Sequence, residues 1–103
     1  MSPVSRYATC RGRELHFTEW GDPQAEVVVA WHGLARTGRD MDDIAAHLAP
    51  RWRVVCPDTP GRGLSQWSPA PDDEYHLACY AAQAADLLDQ LGIGHCHWLG
   101  TSM

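Results

Sequence analysis

The 103-residue sequence contains no lysine, a single phenylalanine and no C-x-x-C pair. All eight basic residues are arginine, which excludes a Schiff-base lysine and a Walker-type phosphate-binding lysine from this stretch. Because the four cysteines lie far apart, neither a zinc knuckle nor a dithiol redox motif is present. We expect all of them to be buried, unpaired thiols in a reducing compartment: Cys10, Cys56, Cys79 and Cys96.

Long apolar segments and an excess of positive charge are also missing. No run of about 18 apolar residues occurs, and the N-terminus has no apolar core of signal-peptide length. The formal net charge of −5 argues against nucleic acid or an anionic membrane surface as a partner, because both require a basic surface. With 45% apolar and 20% charged residues, the composition is that of one ordinary globular domain. We therefore expect a cytoplasmic protein without nucleic-acid or membrane partners.

Hydrophobic patterns predict five strands and two helices. The first two strands form an antiparallel hairpin around Gly12, whereas the third and fourth are continuous apolar runs typical of strands covered on both faces. The order of the elements predicts an α/β fold with a mostly parallel sheet after an antiparallel start. The predicted strands are residues 7–10, 14–20, 27–31, 53–57 and 95–99, and the predicted helices lie between residues 40 and 50 and from about residue 74 to residue 91.

The helix ends carry their own signals. Asp40, Asp42 and Asp43 crowd the N-terminus of the first helix, where the helix dipole favours negative charge, and we expect them to cap it. Gly92 is placed to end the second helix in a left-handed conformation.

The segment Gly100-Thr101-Ser102-Met103 matches the first four positions of a G-x-S-x-G nucleophile elbow. In that motif the serine stands on a sharp turn between a strand and a helix, and the residues two positions away must be small. Gly100 supplies the first small position. A G-x-S sequence after a strand is also ordinary turn chemistry, because glycine and serine are common turn residues.

His32-Gly33-Leu34 follows the third strand, the place from which a fold with this elbow takes a second oxyanion donor. Gly33 allows the backbone to turn so that the Leu34 N–H faces the serine. The alternative is simple turn chemistry, with His32 hydrogen-bonded to the surrounding structure.

The loop that follows the fourth strand runs from Asp58 to Ser65 and is rich in glycine and proline. Asp58 or Ser65 can satisfy exposed amides within it. A dinucleotide-binding loop is the alternative, but a third glycine is missing at Gln66 and Pro69 blocks an immediate helix. We expect no cofactor here.

His95 and His97 lie two residues apart, so on a strand their side chains face the same side and could in principle chelate a metal. The sequence positions no third ligand. Packed or capping imidazoles are therefore the favoured interpretation, and we expect no metal site.

Taken in order, the three motifs at residues 32–34, 58–65 and 100–103 resemble the α/β-hydrolase superfamily, and the run at residues 31–40 resembles an esterase-like bacterial branch with a serine nucleophile. The resemblance implies that Ser102 is the nucleophile and that the backbone N–H groups of Leu34 and Met103 form the oxyanion hole. His32, Gly33 and Gly100 support these motifs. Serine at the elbow separates the chain from the haloalkane dehalogenases, which resemble this frame but carry aspartate there.

The resemblance also implies that residues 1–103 are the N-terminal part of a single α/β-hydrolase domain, cut after the fifth strand. Its sheet would have the strand order 1-2-4-3-5 and leave Trp98 and Leu99 on an open edge. The triad acid and histidine would follow the nucleophile, so none of the six histidines matches a triad position.

The expected activity is hydrolysis of a small ester-like molecule through an acyl-enzyme. We expect residues 1–103 alone to be inactive and to aggregate or stay molten. Carbon–carbon bond hydrolysis on the same triad, a non-catalytic scaffold of the same fold and, more weakly, a nucleotide-binding domain are the alternatives.

Overall fold

A computed structural model describes residues 3–32, 41–58, 64–65 and 77–100. These residues form five strands and two helices in the predicted order. The strands are β1 (Val4–Cys10), β2 (Arg13–Trp20), β3 (Val27–Trp31), β4 (Arg53–Pro57) and β5 (His97–Gly100), and the helices are α1 (Asp42–Leu48) and α2 (Leu77–Gln90).

The five strands form one sheet in the order β1-β2-β4-β3-β5, which confirms the predicted order. β1 pairs with β2 and β2 with β4 in antiparallel fashion, whereas β3 pairs with both β4 and β5 in parallel. The β1–β2 hairpin needs only a tight turn, whereas the chain passes from β3 to β4 through α1 and from β4 to β5 through α2. The fold is therefore α/β with an antiparallel opening hairpin, as predicted.

The two faces of the sheet bury separate apolar clusters, because successive side chains of a strand point to opposite faces. One cluster packs beneath α2 and the other beneath α1. The first contains Cys10, Leu15, Phe17, Val27, Val29, Trp31 and Val55 with Ala84 and Leu87 of the helix. The second contains Trp20, Ala30, Val54 and Cys56 with Met41, Ala45 and Ala49. The central strands β3 and β4 are buried at every position, as their continuous apolar sequences predict.

Two turns of the β1–β2 region depend on left-handed backbone. Arg11 (φ 52°) and Gly12 (φ 81°) form the two-residue loop of the hairpin, a geometry that matches the twist of paired strands. The Arg11 N–H donates to Asp86 of α2 at 2.8 Å, and this bond is the main cause that lowers the pKa of that carboxyl. At Gly21 (φ 85°), a Cβ would lie 2.2 Å from the carbonyl oxygen of Trp52, so only glycine fits.

Several boundaries differ from the prediction. β1 begins three residues earlier than predicted, and β5 begins at His97 instead of His95. Met41 occupies the N-cap position of α1 without a side-chain hydrogen bond, and Asp42 and Asp43 stand in the first helical turn, so they favour the dipole without capping the helix. The predicted cap Asp40 and the predicted helix start near residue 74 lie outside the described residues.

Two predictions about exposure have opposite outcomes. Trp98 is 52% exposed and Leu99 36% exposed on the edge strand β5, as predicted for an open edge. The prediction that all cysteines are buried is wrong for Cys96, which is exposed because it precedes β5 at that edge. Cys10 and Cys56 are buried and belong to no disulfide, and burial raises the pKa of the Cys10 thiol to about 11. The side chain of Cys79 lies outside the described residues.

Candidate active site at the carboxyl ends of the parallel strands

The carboxyl ends of β3, β4 and β5 lie along one edge of the sheet. Polar residues follow directly: His32 after β3 and Asp58 after β4, each 2% exposed. In open α/β sheets, ligands bind outside the carboxyl ends of the strands. This edge is therefore where a site is expected.

The register between β3 and β5 sets the geometry of the predicted nucleophile elbow. Trp31 pairs with Gly100 in parallel, so the two strands end side by side. Leu34 follows the first of these residues by three positions, and Ser102 follows the second by two. The strand ends thus bring the starts of both predicted motifs together, although Gly33, Leu34, Ser102 and Met103 lie outside the described residues.

Aromatic stacking reinforces this pair of strand ends. The Trp31 and Trp98 rings stack with centroids 5.3 Å apart, and the Trp31 and His32 rings lie nearly parallel with centroids 6.2 Å apart. A Cβ at Gly100 would meet only Trp98 Nε1, at 3.9 Å, which is an ordinary contact within the described residues. Crowding by these residues is therefore not the reason for glycine at that position.

Asp58 anchors the loop that follows β4. Its Oδ2 accepts hydrogen bonds from His16 Nδ1 at 2.7 Å and from the Leu64 N–H at 3.1 Å, which confirms that this carboxylate satisfies a loop amide. Its backbone N–H donates to the His16 carbonyl at 2.8 Å. The loop is thus tied both to itself and to β2.

Ser65 closes the same network from the other end of the loop. Its hydroxyl donates to the Asp58 carbonyl at 2.7 Å and accepts from the His16 N–H at 2.8 Å. Ser65 is 4% exposed, and the side chains of His16 and Asp58 are 3% and 2% exposed. Buried hydrogen bonds of this kind are costly to leave unmade, so the network fixes Asp58 and Ser65 at the two ends of the loop.

Sequence reasoning missed His16. It alternates with Leu15 and Phe17 along β2, and so it lies on the opposite face of the sheet, but its carboxylate partner is 42 residues away. No local pattern indicates such a contact. The only available signal is the antiparallel pairing of β2 with β4, the strand that Asp58 follows.

His97 packs against an aromatic ring and lies close to a carboxylate. The His97 ring packs edge-on against the Trp52 ring, with the ring centroids 5.1 Å apart, and His97 Nε2 lies 3.5 Å from Glu26 Oε2. His95 and His97 line an open cavity of about 420 Å³ with Glu26, Val27 and Cys96. Within residues 3–32, 41–58, 64–65 and 77–100, no group of three or more potential ligands could hold a metal ion. Among the same residues, no helix is long and apolar enough to span a membrane.

Comparisons with known proteins agree with this fold. A family model described as the alpha/beta hydrolase fold matches residues 26–103, and the chain belongs to this family. It is 44% identical over 90 residues to the 3-hydroxybutyrate-oligomer hydrolase of Cupriavidus necator, covering 86% of this chain and 30% of that protein. It is 31% identical over 102 residues to Epoxide hydrolase A of Mycobacterium tuberculosis, covering 96% of this chain and 31% of that protein.

A solved structure matches the whole chain. The thioesterase domain from the curacin biosynthetic pathway superposes with a TM-score of 0.91 at 26% identity, covering 100% of this chain and 38% of that domain. The chain thus spans about a third of the length of the proteins it matches. What it shares with them is the amino-terminal part of an α/β-hydrolase sheet.

Proposed function

We propose that this chain provides the nucleophile and the oxyanion hole of a serine hydrolase that cleaves carboxylic esters. The pairing of Trp31 with Gly100 is the observation that carries the proposal. It starts the two predicted motifs from neighbouring positions on one sheet edge, which the proposed chemistry requires. Hydrolase family membership supports the same reaction class.

In the proposed reaction, Ser102 Oγ attacks the ester carbonyl carbon while a histidine takes the hydroxyl proton. The oxyanion accepts hydrogen bonds from the Leu34 and Met103 N–H groups. The carbon–oxygen bond to the leaving alcohol breaks, the histidine returns its proton to that alcohol, and water then releases the acid. The resemblance to the superfamily assigns the histidine and its acid partner to positions after Ser102. Residues 1–103 alone should therefore show no turnover.

The relatives support a substrate class for the proposed reaction. The similarity to a hydrolase of 3-hydroxybutyrate oligomers favours small esters of hydroxy acids. The likeness to a thioesterase domain supports acyl transfer in general. Carbon–carbon bond cleavage on the same triad and a non-catalytic scaffold remain the alternatives to this chemistry.

Epoxide hydrolysis is a second candidate, favoured by the similarity to Epoxide hydrolase A. Assays of the intact protein with a p-nitrophenyl ester and with a styrene-type epoxide separate the two reactions. The proposal predicts turnover of the ester. Turnover of the epoxide alone would favour the second candidate.

Among the described residues, Cys10, Cys56 and Cys96 belong to no disulfide, which suits a reducing compartment, and we propose a cytoplasmic location.

Substitution of the nucleophile tests the proposal. In the intact protein, Ser102→Ala should lower the turnover of p-nitrophenyl butyrate by roughly 10⁶-fold, or about 8 kcal/mol of barrier, because no acyl-enzyme can form. Thr101→Ala, which removes the neighbouring hydroxyl, is the matched control and should stay within about tenfold of the parent rate. Retention of full activity in Ser102→Ala would overturn the proposal.

A further inference from the structure

Ser5 is linked through hydrogen bonds to a histidine and, beyond it, to an aspartate. Ser5 Oγ is hydrogen-bonded to His16 Nε2, and His16 Nδ1 is hydrogen-bonded to Asp58 Oδ2 at 2.7 Å. The Ser5 residue is exposed, whereas the His16 and Asp58 side chains are almost fully buried. Serine, histidine and aspartate in this order are the groups that activate a hydroxyl for nucleophilic attack.

Three adjacent strands place these groups on one face of the sheet. Ser5 pairs with Thr18 and Tyr7 pairs with His16 across the β1–β2 hairpin, so Ser5 is a diagonal neighbour of His16. Asp58 follows β4, the next strand in the sheet. The Ser5–His16 contact is therefore set by the register of β1 and β2, and Asp58 joins it directly after the end of β4.

The hydrogen bonds indicate which nitrogen of His16 can accept the proton of the Ser5 hydroxyl. Asp58 Oδ2 accepts from the Leu64 N–H as well as from His16 Nδ1. It therefore holds the proton of His16 on Nδ1 and leaves Nε2 as the acceptor for the Ser5 hydroxyl. The Tyr7 ring lies against the imidazole with its centroid 5.1 Å away, which holds the base in place.

The structural role of the buried pair does not require Ser5. His16 and Asp58 already bind each other, and Ser65 and Leu64 complete their network from the loop after β4. Ser5 adds an exposed hydroxyl to the only nitrogen of His16 that the network leaves for a further partner. The Ser5 residue is exposed, so a reagent can approach it from solvent.

We propose that Ser5 is a nucleophilic hydroxyl that accepts an acyl group from an activated ester. Its Oγ attacks the carbonyl carbon, His16 Nε2 takes the hydroxyl proton, and the carbon–oxygen bond to the leaving alcohol breaks. The alcohol leaves with the proton from His16, and the acyl group stays on Ser5. This site is separate from Ser102: β1 and β5 are opposite edges of the sheet, roughly 19 Å apart at the usual strand spacing.

The test uses the intact protein with Ser102→Ala, so that the proposed main nucleophile cannot react. The protein is incubated with p-nitrophenyl acetate, and the acetylated peptides are identified by mass spectrometry. We expect acetylation of Ser5 at least about tenfold faster than of Thr9, an exposed hydroxyl on the same strand and face without a histidine partner. Ser102→Ala/Thr9→Ala should keep the Ser5 adduct, and Ser102→Ala/Ser5→Ala should lose it.

A further variant separates activation from simple exposure. Asp58→Asn keeps the shape of the side chain but removes its charge, and it should slow acetylation of Ser5 by at least about tenfold in protein whose circular dichroism shows a folded state. Ser5 that stays unmodified in the folded Ser102→Ala protein, or that reacts no faster than Thr9, would overturn the proposal. Neither result bears on Ser102, whose reaction is measured separately in the parent protein.

Discussion

The ends of β4 and β5 lie on the same edge of the sheet but are held in different ways. β4 is buried at all five positions, and the residue after it, Asp58, takes part in a buried network of side-chain hydrogen bonds. β5 is exposed at all four positions and is attached through its backbone pairing with β3 and a stacked pair of tryptophans. The first end is specified by side chains, whereas the second is specified by register.

The difference indicates that the end of β4 stabilises the fold, whereas the end of β5 leads to the proposed nucleophile. Asp58 and Ser65, at the two ends of the loop after β4, are held to each other and to His16 by buried hydrogen bonds. The strand that leads to Ser102 takes its position from β3, its one neighbour among the described strands. A substitution at the end of β4 should therefore cost stability, and a change on β5 should cost little stability.

Removal of the Asp58 carboxylate is expected to have a large effect on stability. Asp58→Ala leaves the His16 imidazole and the Leu64 amide without their acceptor and should lower the free energy of unfolding by about 3–5 kcal/mol. Asp58→Asn is the matched control, because an amide oxygen can still accept from both groups, and it should cost less than half as much. Urea unfolding of the intact protein measures both. Equal losses would show that charge, and not hydrogen bonding, holds the loop.

Gly21 lies against the backbone of Trp52, the residue that precedes β4. Gly21→Ala combines an unfavourable backbone angle with a Cβ 2.2 Å from the Trp52 carbonyl oxygen, and should cost about 2–4 kcal/mol. Gly12→Ala provides the control, since Gly12 has a similar angle but no atom within 4 Å of a Cβ, and should cost about 1 kcal/mol. Thermal denaturation compares the two variants. Similar melting temperatures would contradict the close packing of Trp52 against this turn.

The smallest effect is expected on β5. Trp98→Ala removes a half-exposed ring and its stack on Trp31, and should cost about 0.5–1.5 kcal/mol. Phe17→Ala on β2 removes a ring that is 1% exposed and should cost about 3–5 kcal/mol. Chemical denaturation of both variants compares the loss of stability from an exposed ring on β5 with the loss from a buried ring on β2. A larger loss for Trp98→Ala would mean that β5 is held by its side chains after all.

The sequence predicts most of the fold because its signals are local. Continuous apolar runs identify β3 and β4 with correct ends, and Gly92 ends α2 with φ 72° as its position predicts. The start of β5 was misplaced because His95 and Cys96 continue a polar and apolar alternation that the backbone does not follow. Local patterns carry no information on whether a strand has neighbours on both sides.

The candidate site was predictable only in part. Asp58 and Ser65 were identified as loop residues because short polar side chains in glycine-rich turns bind nearby amides. Their partner His16 was not, because a contact over 42 residues depends on which strands become neighbours. Ser5 was missed for the same reason, since its partner becomes visible only once β1 and β2 are in register.

The central claim is that Ser102 is the nucleophile, and covalent labelling tests it most directly. The intact protein is treated with a fluorophosphonate, and the modified peptides are identified by mass spectrometry over time. We expect an adduct at Ser102 that forms before an adduct at any other serine. Its formation should follow the same time course as the loss of ester hydrolysis. Folded protein that loses its ester hydrolysis while Ser102 stays unmodified would contradict this claim.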